Sequence, residues 1–299
     1  MSVEMEMTMM HYNFSSTRLT GSMLLLILSF GMWVPGLYGQ VGSDFVLRAS
    51  GADVDYAAAN PTSYGMSTVV SVHQATGVIA QAQGYSLGVG NDSTLLMPIS
   101  ATNLLVPPGG HGVDFDQIAI LPEGVTEGVV LSFPGLYTIS FETETDLLGI
   151  EYQLMNGPLT GATTTTSTSL DFVDTLGSPP VDISIVIEGA SYPPSLASGA
   201  VTLTPHDGAP LIRGDASQDG TLDLADGVGI LQYLFIGAAA DCLDALDAND
   251  SGNVSITDAI RVLCALYCSG SPPPESPFPG CGFDSTADSL GCLSYPACP

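Results

Sequence analysis

The chain has 299 residues and 31 acidic side chains, with four arginines as its only cations, which gives a formal net charge of −27. This length predicts one large domain and a smaller one. The charge argues against nucleic acid and anionic membrane surfaces as partners, because both repel a strongly acidic protein.

The N-terminus has the features of a secretory signal peptide. Arg18 precedes an apolar run over residues 23–34, and small residues follow the run. The run is shorter than the roughly 20 apolar residues that cross a bilayer, so no transmembrane segment is predicted. We therefore expect a signal peptide over residues 1–39 and a secreted chain that is extracellular or associated with the cell surface.

Residues 40–210 are predicted to form a β-sandwich domain. Apolar and polar residues alternate over 148–154 and 181–188, which is the periodicity of a strand with one buried face. Further strands are predicted at 67–73, 85–89, 117–121, 125–133, 163–169 and 201–204. About eight or nine strands without intervening helices indicate a mainly β fold, an antiparallel sandwich, followed by a small α-helical module.

A repeat with a period of 32 residues follows the predicted sandwich. Its units begin DASQDGTLDLAD and DANDSGNVSITD. Oxygen donors occupy positions 1, 3, 5, 9 and 12 of each, and position 7 offers a backbone carbonyl, as in an EF-hand loop. The predicted metal ligands are Asp215, Ser217, Asp219, Thr221, Asp223 and Asp226 in the first loop, and Asp247, Asn249, Ser251, Asn253, Ser255 and Asp258 in the second.

The two loops predict two Ca²⁺ sites of unequal strength. Gly220 and Gly252 occupy position 6, where the loop turns sharply. The first loop has four ligand carboxylates and the second has two. Because affinity rises with ligand charge, we expect the first loop to bind calcium more tightly.

An apolar stripe at helical spacing follows each loop. The stripes are Leu224, Val228, Leu231 and Phe235, then Ile256, Ile260, Leu263 and Tyr267. We expect each helix to bury its stripe against the other, so that calcium binding and folding are coupled.

With one helix after each loop, residues 213–270 resemble a type I dockerin module. The resemblance implies a secreted bacterial protein that attaches to a cohesin-like protein domain, often for polysaccharide catabolism, so a polysaccharide is the second implied partner. Loop positions 10 and 11 hold Leu224 with Ala225 and Ile256 with Thr257, where the family commonly has Ser and Thr. This departure indicates a non-standard cohesin-like partner.

The upstream region has a weaker resemblance of its own. An alternating strand over residues 81–89 leads into Asn91, Asp92 and Leu95. In this respect residues 40–210 resemble a cohesin-like or an immunoglobulin-like sandwich. The resemblances imply an attachment or assembly module joined to a recognition or architectural domain.

The six cysteines all lie near the C-terminus, at Cys242, Cys264, Cys268, Cys281, Cys292 and Cys298. In an exported chain this favours disulfide bonds over a thiolate metal site, since no Cys-x2-Cys pair occurs. All fifteen pairings remain open. Residues 271–299 form a cysteine-containing tail that is expected to begin as an extended polyproline segment.

Two sequence patterns bear on whether the chain is an enzyme. Residues 84–88 match the nucleophile elbow around Ser86, with His111 and Asp114 or Asp116 as partners, but a strand and a turn follow where the elbow needs a helix. A glycosidase needs two facing carboxylates, and no local signature selects a pair among Asp114, Asp116, Glu142, Glu144 and Glu151. We therefore predict a non-catalytic protein, and the alternative hypothesis is a dockerin-bearing glycoside hydrolase or carbohydrate-binding component.

Overall fold

The computed structural model describes residues 44–75, 77, 79–286 and 288–298, so the predicted signal peptide lies outside the described residues. In this part of the chain, thirteen β-strands precede three α-helices. The strands are β1 Phe45–Ala49, β2 Ala52–Ala57, β3 Gly65–Gln74, β4 Ala82–Gly90, β5 Leu96–Asn103, β6 Phe115–Leu121, β7 Gly124–Val130, β8 Thr145–Leu154, β9 Thr166–Phe172, β10 Ser184–Ile187, β11 Ala190–Tyr192, β12 Ser195–Ala197 and β13 Gly199–His206. The helices are α1 Leu224–Ile236, α2 Leu243–Leu246 and α3 Ile256–Tyr267.

The strands form two sheets around one hydrophobic core, as predicted for a mainly β sandwich. One sheet has the order β12-β1-β3-β8-β5, and the other has the order β11-β10-β4-β9-β13-β2, with β7 and β6 attached beside β4. Most ladders are antiparallel, but β1 pairs in parallel with β12, and β13 pairs in parallel with β2. These two parallel ladders join the start of the sandwich to its end.

The strand predicted from residue 148 is confirmed as part of β8. Its apolar side chains, which are Leu148, Ile150, Tyr152 and Leu154, are at most 1% exposed. The strand predicted over 181–188 is shorter, because β10 covers only Ser184–Ile187. Glu188 and Gly189 adopt positive φ angles of 51° and 76°, which turn the chain into β11.

An acidic side chain, Glu127 on β7, lies within the sandwich core. It is fully buried, lies opposite Leu87 of β4, and has no hydrogen-bond partner for either carboxylate oxygen among the described residues. Burial raises the pKa of Glu127 to about 8, opposed by the nearby Tyr85 hydroxyl and reinforced by the charge of Asp116. Glu127 is therefore expected to be protonated at neutral pH.

Helices α1 and α3 approach each other closely at Gly227. A Cβ atom at this position would lie 2.8 Å from Cδ2 of Leu263. The predicted burial of the apolar stripes is wrong, because six of the eight side chains are 41–69% exposed. These six are Leu224, Val228 and Phe235 on α1, and Ile256, Ile260 and Tyr267 on α3.

A different face of each helix is buried, and the loops explain why. Asp226 and Asp258 are the last residues of their loops and also the third residues of their helices, and both are fully buried. Residues four positions apart share one helix face. Ile230 and Val262 therefore point inward with these carboxylates, and the alternative apolar stripe is turned towards solvent.

The C-terminal tail packs on the helices instead of extending away from them. Cys292 and Tyr295 belong to the same buried cluster as Ile230 and Val262. Within the Pro-rich segment, which forms no helix or strand over residues 271–280, Pro274 is buried against Gly214. The second core therefore includes the tail.

Four of the six cysteines form disulfide bonds, which link Cys242 with Cys292 and Cys281 with Cys298. The other two cysteines, near the end of α3, are free thiols. No helix in the described residues is both long and apolar enough to span a bilayer.

Candidate metal centre

The first loop, residues 215–226, is closed by hydrogen bonds to its first and last carboxylates. Asp215 Oδ2 accepts from the Gly220 amide at 2.8 Å, and Asp215 Oδ1 accepts from the Ser217 hydroxyl at 3.2 Å. Asp226 accepts from the amides of Ser217 at 2.9 Å and Asp223 at 2.7 Å. These bonds hold the two ends of the loop together.

The second loop, residues 247–258, repeats this arrangement at the same spacing. Asp247 Oδ2 accepts from the Gly252 amide at 2.7 Å. Asp258 accepts from the amides of Asn249 at 3.2 Å and Ser255 at 2.8 Å. The sequence repeat is therefore also a repeat of hydrogen bonds, with each partner displaced by 32 positions.

The backbone of the two loops repeats in the same way. Position 6 is a glycine with φ of 86° at Gly220 and 76° at Gly252. Position 4 is also left-handed, with φ of 60° at Gln218 and 54° at Asp250. A left-handed conformation is uncommon for residues other than glycine, so its recurrence at one position marks a shared loop geometry.

Each loop buries two carboxylates that have no cationic partner in the described part of the chain. Asp215, Asp226, Asp247 and Asp258 are fully buried, and none forms an ion pair among the described residues. Burial raises the pKa of Asp226 and of Asp258, and the other buried carboxylate of each loop adds to the rise, although amide bonds oppose it. A bound cation would relieve this unfavourable burial.

In the first loop, the other two predicted carboxylate ligands, Asp219 and Asp223, are exposed to solvent. Asp219 Oδ1 accepts from the Thr221 amide at 2.9 Å, and Asp223 Oδ1 accepts from the Ala225 amide at 2.6 Å as the N-cap of α1. Among the described residues, no three carboxylates of the first loop come within 4.8 Å of one another. Binding an ion through all of them would require Asp219 and Asp223 to turn inward.

In the second loop, the predicted hydroxyl ligands form hydrogen bonds within the loop. The Ser251 hydroxyl lies 3.2 Å from the carbonyl of Asn253 and donates to it. Ser255 is the N-cap of α3, and its hydroxyl lies 3.1 Å from Asp258 Oδ2. The loop therefore gathers its predicted ligands around two carboxylates, those of Asp247 and Asp258.

Two residues beside the loops were missed by the sequence reasoning. The Tyr295 hydroxyl donates a hydrogen bond to Asp215 Oδ2, and burial, followed by this bond, raises the pKa of Tyr295. Asp288 lies over the turn of the second loop. A Cβ atom added to Gly252 would lie 3.3 Å from the Cβ atom of Asp288. The tail carries no motif that links it to the loops, so neither contact had a sequence signal.

Arg213, two residues before the first loop, joins the parts of this region. It is fully buried, and its Nη2 lies 2.7 Å from Asp284 Oδ1 and 3.1 Å from Asp250 Oδ1. Its Nε donates to the carbonyl of Ser276 at 2.7 Å, and its Nη1 donates to the carbonyl of Asp247 at 3.0 Å. The guanidinium thus holds the second loop, the Pro-rich segment and the tail together.

The structure does not form a nucleophile elbow at Ser86. This residue lies inside β4, which continues to Gly90, and its hydroxyl donates to the carbonyl of Asp182 at 2.5 Å. His111 stacks on Tyr137 with ring centroids 4.0 Å apart. Two of the candidate acids bond local groups, since Asp114 accepts from the Phe133 amide and Glu144 accepts from the Ser71 hydroxyl.

Comparison with known proteins gives matches among solved structures alone, since no family model and no curated protein matches the sequence. A chain of a type I cohesin–dockerin complex from Clostridium thermocellum is 10% identical, with a TM-score of 0.41, covering 56% of this chain and 98% of that one. The seventh ScaB type I cohesin from Pseudobacteroides cellulosolvens is 10% identical, with a TM-score of 0.39, covering 54% and 93%. The cohesin module of a family 33 glycoside hydrolase from Clostridium perfringens is 9% identical, with a TM-score of 0.38, covering 55% and 99%. At these values nothing about binding follows for this chain.

Proposed function

We propose that this chain is a secreted calcium-binding protein in which the paired loops and helices mediate attachment or assembly, and the sandwich is a recognition or architectural domain. One observation carries the proposal. Two loops with the same hydrogen bonds each bury two carboxylates, Asp215 with Asp226 and Asp247 with Asp258, without an ion pair among the described residues. Such burial is unfavourable unless a cation compensates it.

The chemistry of the donors favours calcium as this cation. All the predicted ligand atoms are oxygens, and a loop with glycine at position 6 is typical of an EF-hand. Imidazole and thiolate ligands, which favour zinc and copper, are absent from both twelve-residue loops. The first loop has four ligand carboxylates against two in the second, so the first is the tighter site.

The exposed stripes of α1 and α3 supply the surface for attachment. Val228 and Ile260 occupy equivalent positions 32 residues apart and are 41% and 51% exposed. Contiguous exposed apolar side chains on a soluble protein mark interaction sites. The partner that we propose is a protein domain with a complementary apolar face, of the cohesin-like kind that the dockerin resemblance implies.

The first test is calcium removal from the full chain. With the disulfides reduced, chelation should abolish most of the helical circular dichroism and leave the β-sheet signal in place, because the C-terminal core alone depends on the loops. Calcium should restore the helical signal. An unchanged helical signal on chelation would contradict the coupling of calcium binding to folding.

The second test concerns attachment. Val228→Glu and Ile260→Glu should each reduce capture of a cohesin-like partner at least tenfold at saturating calcium, because each places a charge in the apolar stripe. Ser191→Glu, on β11 of the sandwich, is the control and should not change capture. Equal capture by all three variants and the wild type would refute the proposed surface.

A further inference from the structure

Three acidic side chains converge outside the two loops. Carboxylate oxygens of Asp244, Asp284 and Asp288 lie within 4.8 Å of one another. Asp244 belongs to α2, between the loops, and the other two belong to the tail. All three line a cavity of about 220 Å³ that His206, at the end of β13, also borders.

Asp244 is the buried member of this group. It is 5% exposed, and its Oδ1 atom has no hydrogen-bond partner among the described residues. A buried acceptor without a partner destabilises a fold by on the order of 1–3 kcal/mol, and more when it is charged. A cation in the adjoining cavity would remove this penalty.

The positive charge beside this group of carboxylates is the Arg213 guanidinium, and its ion pairs are with Asp250 and Asp284. Arg213 Nη2 bonds the carboxylates of Asp284 and Asp250, while its Nη1 reaches the backbone carbonyl of Asp244 and not its carboxylate. The guanidinium therefore pairs with two carboxylates, and those of Asp244 and Asp288 form no ion pair among the described residues. Burial, followed by the charges of Asp284 and Asp288, raises the pKa of Asp244 to about 6, as expected for an excess of negative charge.

The geometry points to a third cation site, in which Asp244, Asp284 and Asp288 bind one calcium ion. Two oxygens bound to the same Ca²⁺ at about 2.4 Å lie at most about 4.8 Å apart, and the three carboxylates stay within this limit. Carboxylate ligands select a hard cation. The cavity leaves room for the waters that would complete a shell of about six to eight oxygens.

This site would fasten the tail to the rest of the C-terminal core. Asp288 also lies within 4.8 Å of carboxylate oxygens of Asp247 and Asp250, so it connects the third site to the start of the second loop. The Cys242–Cys292 disulfide joins α2 and the tail nearby. The ion would add a second, reversible link between the same two segments, and the inference does not depend on calcium in either loop.

The test is the number of calcium ions bound per chain, measured by native mass spectrometry of the full chain at about 1 mM free calcium, where extracellular calcium modules bind. Asp244→Asn should bind one ion fewer than the wild type, because it removes a carboxylate charge with little change in volume. Asp288→Asn should give the same loss. Because the Asp288 side chain is exposed, Asp288→Asn tests the third site even if Asp244→Asn does not fold.

Asp241→Asn is the matched control, since this exposed acid precedes α2 and lies outside the group, and it should keep the wild-type count. If loop binding fails, the wild-type count falls, but the difference of one ion between wild type and Asp244→Asn remains. Wild-type counts in both Asp244→Asn and Asp288→Asn would overturn the third site.

Discussion

Glu127 in the sandwich core should make the stability of the protein depend on pH. Its pKa is about 8 in the folded chain, against about 4.3 for a glutamate in an unfolded chain. Between these values the folded state holds a proton that the unfolded state has released, so the free energy of unfolding falls as pH rises. The slope is about 1.4 kcal/mol per pH unit, which gives a loss of about 3 kcal/mol between pH 5 and pH 7.

Glu127→Gln removes this dependence, because an amide of nearly the same shape does not ionise. Relative to the wild type, the variant should therefore gain about 3 kcal/mol of unfolding free energy between pH 5 and pH 7, and the gain should level off above pH 8. The measurement is guanidinium denaturation in saturating calcium, followed by the circular dichroism of the strands. Taking the difference between variant and wild type cancels the titration of every other group.

Glu123→Gln is the control, because Glu123 lies on the exposed turn between β6 and β7. Its stability relative to the wild type should stay constant over the same pH range. A difference between Glu127→Gln and the wild type that does not change with pH would show that Glu127 is ionised in the folded chain, and the reasoning from burial would be wrong.

Three further predictions concern the C-terminal region. Asp215→Ala should weaken calcium binding measured by calorimetry more than Asp247→Ala, because the first loop has more ligand charge; equal losses would count against the ligand assignment. Gly227→Ala should be less stable than Gly229→Ala by on the order of 1 kcal/mol in thermal unfolding, since a Cβ at residue 227 meets Leu263 at 2.8 Å. A thiol-specific reagent should modify two cysteines per folded chain without reductant and six after reduction and unfolding; four or more reactive thiols in the folded chain would contradict the pairing.

The sequence predicted the sandwich best where one strand face is buried and the other exposed. Residues 148–154 alternate clearly and form part of β8, whereas β5 was missed because Pro98 and its polar residues hide the alternation. The parallel ladders of β1 and β2 were also missed. Their partners are about 150 residues away in the chain, and local periodicity carries no information on such pairing.

In the candidate site, the loops were predictable and the orientation of the helices was not. Helix α1 has apolar residues on more than one face, so the spacing of Leu224 and Val228 could not decide which face is buried. The inward direction of Asp226 decides it, and this follows from the hydrogen bonds that close the loop. The tail contacts of Tyr295 and Asp288 depend on how the tail folds back, which no local pattern encodes.

Because Arg213 is buried, trypsin cleavage after this residue reports the opening of the C-terminal core. Trypsin cleaves after lysine and arginine, the chain has no lysine, and the described arginines are Arg48, Arg213 and Arg261. The peptide bond after Arg213 is out of reach while the guanidinium holds the second loop and the tail, because a protease needs several residues in an extended, accessible form. Cleavage at this bond therefore measures how often the region opens, and it separates the sandwich from the calcium loops in a single step.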